Sequence, residues 1–243
     1  MKRRLDILLV EKGLAASRTQ AQALVLEGKV RVFGQTEFKA SRALEAEAPV
    51  EVEAPPRFVS RGGEKLEGAF AKFPLAAAGK VCLDVGSSTG GFTDCLLQHG
   101  AKQVMAVDVG TNQLAYKLRV DPRVWVKENY NARFLNSADL PAVPTLAVTD
   151  VSFISLKLIL PPIVAVLAAG GEIVALIKPQ FEVGKGNAPG GLVRDEALRL
   201  AARDEIVRFA REELKLELLG LEESPIRGKE MGNIEYLSYW RKP

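Results

Sequence analysis

The chain has 243 residues, of which 47% are hydrophobic, enough for one large domain or for a small domain and a medium one. Its two cysteines, Cys82 and Cys95, cannot build a disulfide framework and point to a reducing cytosol. No stretch approaches the roughly 20 apolar residues that a membrane helix needs, and the basic start MKRRLDILLVEKG has only a short apolar run, so a cytoplasmic chain without a signal peptide or membrane partner is expected.

The net charge of +3 is unevenly spread. Residues 1–42 hold nine Lys/Arg and four Asp/Glu, whereas the remainder holds 24 and 26. The basic surplus lies wholly in the N-terminal segment, which implies a separate module with an anionic partner. There, LDILLVEKG reads as a short helix ending at Gly13. Ser17-Arg18-Thr19-Gln20 has the capping-box pattern, and the helix it starts stops at Gly28. VRVFGQ alternates like a strand and turns at Gly34, and EAPVEVEAPP reads as a further strand closing at Pro55-Pro56. Arg3, Arg4, Arg18, Lys29 and Arg31 sit near the helix ends as candidate RNA-binding residues. Two short helices and a small hairpin with this charge resemble the RNA-binding domain first described in ribosomal protein S4.

RFVSRGGEKLEGAFAKF runs from a linker into a helix, and from there strands and helices alternate. The strands are KVCLDVG, KQVMAVDVG, VWVKEN, TLAVTDV and GEIVALIK, with LELLGLEESPI and NIEYLSYWRK as a final pair. The helices are GFTDCLLQHG, LILPPIVAVLAAGG (broken or started at its prolines) and the long RDEALRLAARDEIVRFAREEL. This order predicts a mostly parallel sheet covered on both faces, with an antiparallel pair at one edge.

The sharpest motif is LDVGSSTGGFTD, Leu83 to Asp94. A strand ends in Asp84, a glycine-rich turn follows, and a helix begins near Phe92. Such a turn lets backbone approach a ligand, and the helix N-terminus offers unpaired N–H groups. The spacing Asp84-x-Gly86-x-Ser88-x-Gly90 is neither GxGxxG nor a Walker loop. A carboxylate just before the turn repels phosphate but suits a cationic ligand such as S-adenosylmethionine. Asp108 ends the next strand, 24 residues on, where an acid can take both ribose hydroxyls.

The acceptor follows from what is absent. VTDVSFISL puts Asp150 at the C-terminal end of the fourth strand, where such sheets bind ligands. It lacks the Asn/Asp-Pro-Pro-aromatic element expected for amino-group methylation. Carbon methylation of pyrimidines needs a cysteine nucleophile, and neither Cys82 inside a strand nor Cys95 on a helix is well placed. The single histidine, His99, ends a helix and reads as surface. Lysines and carboxylates remain. In EIVALIKPQFE, Lys178 ends an apolar strand beside the one carrying Asp150, and adjacent strands lie about 4.8 Å apart. Lys65 in RGGEK and Glu235 in the last strand complete the set. Methylating an alcohol requires removing its proton, which a positioned base assists. A lysine acts as base only as the neutral amine, favoured by burial and a second cation and opposed by carboxylates. On the residues alone, Lys178 either removes the proton or steadies the developing alkoxide.

The chain resembles the TlyA family of haemolysin A-like ribosomal RNA 2′-O-methyltransferases, and its larger module resembles FtsJ/RrmJ-type methyltransferases. The match rests on the basic N-terminal domain, SRGGEKL, DVGSSTGGFTD, VTDVSFISL, ALIKPQFE and NIEYLSYW, nearly the whole chain. The resemblance implies a Rossmann-like class I methyltransferase fold with a seven-stranded, mostly parallel sheet, preceded by a small α+β RNA-binding domain. It implies domains at residues 1–57 and 65–243 joined by a linker at 58–64. It places a catalytic Lys-Asp-Lys-Glu tetrad on Lys65, Asp150, Lys178 and Glu235, with Lys178 as base. It implies S-adenosyl-L-methionine held by Asp84, Gly86, Ser88, Gly90, Phe92 and Asp108, with Asn129 to Asn131 near the adenine. PQFEVGKG, with Lys185, reads either as part of an RNA groove or as a mobile glycine-rich loop. The expected substrate is a cytidine ribose in ribosomal RNA or ribosomal subunits, with no metal; the sequence leaves the oligomeric state open, with a monomer favoured. The haemolysin name implies membrane lysis instead, which the absence of a strongly amphipathic basic helix disfavours. A catalytically silent, RNA-binding assembly factor is the third alternative, disfavoured by the intact tetrad.

Overall fold

A computed structural model describes residues 2–54, 56–184, 186–228 and 231–243. Lys185 lies outside them. The chain forms two compact units, residues 1–56 and 57–243.

In the first unit, β1 (Lys2–Arg4) leads into α1 (Leu5–Glu11) and α2 (Arg18–Leu26). Then come β2 (Val30–Val32), β3 (Gln35–Thr36), β4 (Ala43–Glu45) and β5 (Val50–Val52). The strands form a three-stranded sheet in the order β3-β2-β5 and a separate β1-β4 pair. β1 and β4 carry no alternating apolar pattern: KRR is wholly basic, and ALE has a single buried residue, Leu44. Both α1 and α2 turn their apolar face inward: Leu5, Leu8, Leu9, Ala21 and Val25 pack with Val30, Val32 and Leu44. Ser17 caps α2 by accepting from Gln20 N at 3.2 Å. Gln20 reaches back, but to Ala16 N at 2.7 Å, one residue before the cap.

The second unit follows the alternation. Its elements are α3 (Gly62–Lys72), β6 (Val81–Val85), α4 (Gly91–Gln98), β7 (Gln103–Val107), α5 (Tyr116–Arg119) and β8 (Val124–Lys127). They continue as β9 (Leu146–Thr149), α6 (Leu156–Val166), β10 (Glu172–Ile177), α7 (Pro179–Glu182), α8 (Glu196–Glu212), β11 (Glu217–Glu223) and β12 (Tyr236–Arg241). The seven strands order as β11-β12-β10-β9-β6-β7-β8. β8, β7, β6, β9 and β10 are parallel, and β12 runs antiparallel to both β10 and β11.

Because helices cover both faces, the central strands β6 and β9 are buried along their length and, apart from Asp84 and Thr149 near their C-terminal ends, apolar rather than alternating. In β6, Cys82 points into a layer built with Leu66 and Ala69 of α3 and Leu96 of α4. Its neighbours Leu83 and Val85 point into the opposite layer, with Ile159 and Ile163 of α6 and Ile206 of α8.

One expectation is corrected. The prolines neither break nor start α6: it begins at Leu156, capped by Ser155, and Pro161 and Pro162 lie inside it. Each lacks the N–H that would bond four residues back. Lys242 closes the other end, its Nζ donating at 2.7 Å to both Val164 O and Leu167 O.

The Ser17 cap is directly testable. Ser17→Ala should lower hydrogen-exchange protection of the α2 amides about fivefold, equivalent to roughly 1 kcal/mol, with β6–β10 unaffected.

Candidate active site

Parallel strands deliver their C-terminal ends to one rim. Asp150 follows β9 by one residue, Lys178 follows β10 by one residue, and Glu235 immediately precedes β12. The antiparallel register pairs Ile177 with Tyr236, bringing the start of β12 to the end of β10. Lys65 comes from the first turns of α3. The four side chains meet as predicted. Lys178 Nζ lies 2.6 Å from Asp150 Oδ1. Lys65 Nζ lies 2.7 Å from Glu235 Oε2 and 3.5 Å from Asp150 Oδ2. The charges alternate in a chain, Lys178–Asp150–Lys65–Glu235. Lys65, Lys178 and Glu235 are buried, Glu235 at 2% exposure. Lys178 also donates to Ser152 Oγ at 2.8 Å. Ser152 was not foreseen; its only signal is a hydroxyl two residues beyond Asp150 in the same loop.

The glycine turn reaches the same rim. Gly86 N and Ser87 N donate to Val107 O at 2.8 and 3.2 Å, pinning the turn to the end of β7. Gly86 has φ +84°, and a Cβ there would come within 2.9 Å of Val151 Cγ1. Gly90 has φ +98°, and its Cβ would meet Leu118 Cδ1 at 2.3 Å. Neither position admits another residue without displacing its neighbours. Together the turn, Phe92 and the tetrad line a cleft of about 850 Å³.

Asp84 is fully buried. Its Oδ2 accepts from Thr93 Oγ1 at 2.6 Å, and its Oδ1 has no hydrogen-bond partner. Burial pushes its carboxyl up to about 7, opposed by the Thr93 hydrogen bond and reinforced by Asp150 and Asp108. An unpartnered carboxylate oxygen beside a glycine turn fits a ligand carrying positive charge.

Of the predicted donor-site residues, Gly86, Ser88 and Phe92 line the cleft, whereas Asp84, Gly90, Asp108 and Asn129 sit apart from its lining. Asp108 Oδ2 accepts from Ser88 N and Oδ1 from Gly110 N, both at 2.7 Å, so this acid braces the glycine turn. Asn129 N donates to Gly110 O at 2.9 Å and has φ +53°. Asn131 caps a short 3₁₀ turn, accepting from Arg133 N at 3.1 Å.

The cysteines are poor nucleophiles, since burial pushes Cys82 up to about 12 and raises Cys95 as well. His99 is not a free surface side chain. Its ring stacks on Phe70 at 3.7 Å, and its Nε2 lies 2.7 Å from Glu67 Oε2. Glu67, Cys95 and His99 could together present metal-ligand atoms. Arg57 already supplies positive charge there, 2.7 Å from Glu67 Oε1.

In the first unit, four of the five predicted basic residues have acidic partners. Arg4 and Arg18 both reach Asp6 Oδ2 at 2.9 Å, joined by Gln22 at 2.8 Å. The Arg4 hydrogen bond, foremost, holds the buried Asp6 carboxyl well below the usual range. Arg3 pairs with Glu11 at 2.6 Å and Lys29 with Glu27 at 2.5 Å. Arg31 is exposed on β2, facing Glu51 of β5 across the ladder.

This fold and rim define an FtsJ-like methyltransferase: the family's model matches residues 58–242, and an S4 domain matches residues 3–37. The chain belongs to that family. It is 45% identical to the 16S/23S rRNA (cytidine-2′-O)-methyltransferase TlyA of Mycobacterium tuberculosis, over 98% of this chain and 89% of the relative. It is 43% identical to Hemolysin A of Brachyspira hyodysenteriae, over 98% and 99%. A solved hemolysin-named chain from Streptococcus thermophilus superposes with a TM-score of 0.76 at 42% identity, covering 99% of this chain and 88% of that one.

The buried tetrad makes a stability prediction. Glu235→Ala leaves Lys65 buried with only the longer contact to Asp150, and should cost about 3 kcal/mol in denaturant unfolding. Replacing both, as Lys65→Met with Glu235→Leu, should restore most of that loss.

Proposed function

We propose that the chain transfers a methyl group from S-adenosyl-L-methionine to the ribose 2′-hydroxyl of a cytidine in ribosomal RNA of the small or large subunit. The observation that carries this is the buried chain of alternating charges opening beside the glycine turn. An alcohol needs a group to manage its proton, and the rim offers two amines held by carboxylates with no cysteine near them. In this reading the Lys178 ammonium first releases a proton to solvent. Its neutral Nζ then takes the 2′-hydroxyl proton while the methyl carbon bonds to that oxygen and its bond to the sulfonium sulfur breaks, the donor leaving as the neutral thioether. Asp150 and Ser152 aim that amine. Lys65, held by Glu235, adds positive charge where alkoxide character develops.

The donor supplies an electrophilic methyl on a sulfonium. Asp84 would hold its positive end through the unpartnered Oδ1, and the turn from Gly86 through Ser88 to Gly90 would lie along it, with Phe92 behind. Asp108 would fix the turn from below and share in ribose binding, with Asn129 toward the adenine. Exposed Phe153, with φ +63° and its ring 5.1 Å from that of Phe181, stands at the cleft as an aromatic surface for the target base. The N-terminal unit would add phosphate contacts through Arg3, Arg4, Arg18, Lys29 and Arg31, each of which keeps exposed surface. The names of the relatives and the S4 match support this reading. The hemolysin name has no comparable support: among the described residues, no helix is long and apolar enough to cross a membrane.

Lys178→Ala should keep donor affinity within about twofold while single-turnover methyl transfer falls by about a hundredfold or more, the range of a lost general base; full transfer would remove the assigned role. A second test concerns Asp84. Its proton is held up to pH about 7 in the folded protein, whereas the unfolded chain releases it near 3.8. The associated stability is therefore complete below pH 3.8 and lost as pH rises to about 7. A cationic donor favours the carboxylate. Its affinity should rise several-fold between pH 6 and 7.5 with net proton release, measured by calorimetry in buffers of different ionisation heat.

A further inference from the structure

Two separate segments carry the reacting pair. Asp150 and Ser152 lie on the loop between β9 and α6, and Lys178 starts the turn that forms α7. The parallel ladder between β9 and β10 ends at Thr149 opposite Ala175. Beyond it, backbone pairing no longer sets the distance between Asp150 and Lys178. A second polar tie joins the same segments behind the cleft. Glu182, the last residue of α7, accepts from Ser155 Oγ at 2.5 Å and from Leu156 N at 2.9 Å. Ser155 is the N-cap of α6, its Oγ also accepting from Lys157 N at 3.2 Å. Thus one carboxylate grips the first turn of α6 and the end of α7. Glu182 does not line the cleft, although Gln180 and Phe181 beside it do. Between the two ties lie only four loop residues, 151–154, including Phe153 in the left-handed region.

We infer that Glu182 is a positioning residue for methyl transfer: by clamping Ser155 and Leu156 to the α7 turn, it sets the separation and aim of Asp150 and Lys178. The inference rests on the proposed catalytic role of that pair. A carboxylate at a helix N-terminus also stabilises the helix by itself, so the test must separate capping from positioning. The geometry allows this. Glutamine at 182 can accept from Leu156 N with its carbonyl and donate to Ser155 Oγ, keeping both ties without the charge. Alanine keeps neither.

Full-length Glu182→Gln, Glu182→Ala, Ser155→Ala and Lys178→Ala would be compared with the parent. The readouts are melting temperature, S-adenosylmethionine affinity by calorimetry, and kcat and KM for ribosomal RNA in purified subunits. Glu182→Ala should lose about tenfold or more in kcat, with donor Kd and RNA KM within about twofold of the parent. Glu182→Gln should keep at least about half of kcat. Ser155→Ala, which keeps Glu182 and its Leu156 bond, should lose a smaller part, and its kcat decides the matter if Glu182→Ala does not fold. A lower melting temperature with unchanged kcat would reduce Glu182 to a helix cap and overturn the proposal, as would Glu182→Gln behaving like Glu182→Ala. Unchanged kcat in Lys178→Ala would overturn the catalytic reading beneath it. Loss in Lys178→Ala alongside full kcat in Glu182→Ala would overturn the positioning role only.

Discussion

Packing two lysines against two carboxylates, with Lys65, Lys178 and Glu235 buried and Asp150 partly so, is the constraint around which the second unit is arranged. An isolated ammonium or carboxylate taken out of water costs several kcal/mol, and only a close partner offsets it. Here each charge has an opposite neighbour: Glu235 and Asp150 for Lys65, and Asp150 for Lys178. Asp150 sits between the lysines and serves both. The four residues come from four elements, so the arrangement exists only when α3, β9, β10 and β12 are all in place. That explains the antiparallel β12. Only a strand running against β10 can bring its first residues, and Glu235 before them, to the C-terminal rim.

The other half of the rim follows from backbone rather than side chains. The glycine turn after β6 bends back tightly enough that Gly86 and Gly90 could not carry a Cβ without displacing Val151 or Leu118. Asp108 ties that turn to the next loop through Ser88 N and Gly110 N. Asp84, buried behind it, keeps one oxygen unpartnered and its carboxyl raised to about 7. The cleft thus has a wall where charges alternate in close pairs, and behind the glycine turn, outside the cleft lining, lies a buried acid with an unpartnered oxygen.

Much of this was legible in the chain. Apolar runs such as VCLDV and EIVALI announce buried strands because both faces are covered, and Asp84, Asp150 and Lys178 mark where those strands reach a polar rim. Strand ends in a parallel sheet converge, so spacing along the chain was enough to predict that Asp150 and Lys178 meet. Other features had no local signal. β1 is wholly basic and β4 has a single buried residue, and α6 runs through Pro161 and Pro162 because tertiary packing of Ile159, Leu160 and Ile163 outweighs the missing backbone bonds. Ser152 and Glu182 were invisible because hydroxyls and acids in loops are common, and only the fold shows which ones face a lysine or a helix end. The basic N-terminal residues were legible as charge but not as pairs, since Asp6 gathers Arg4, Arg18 and Gln22 from different turns of the chain.

The central claim is that this rim methylates ribose in ribosomal RNA. Mass-spectrometric mapping of ribose methylation in ribosomal RNA tests it most directly, comparing cells with the gene, without it, and complemented with the Lys178→Ala form. The account predicts at least one cytidine whose 2′-O-methyl group is present only with the unaltered gene. An identical methylation pattern in all three would contradict it.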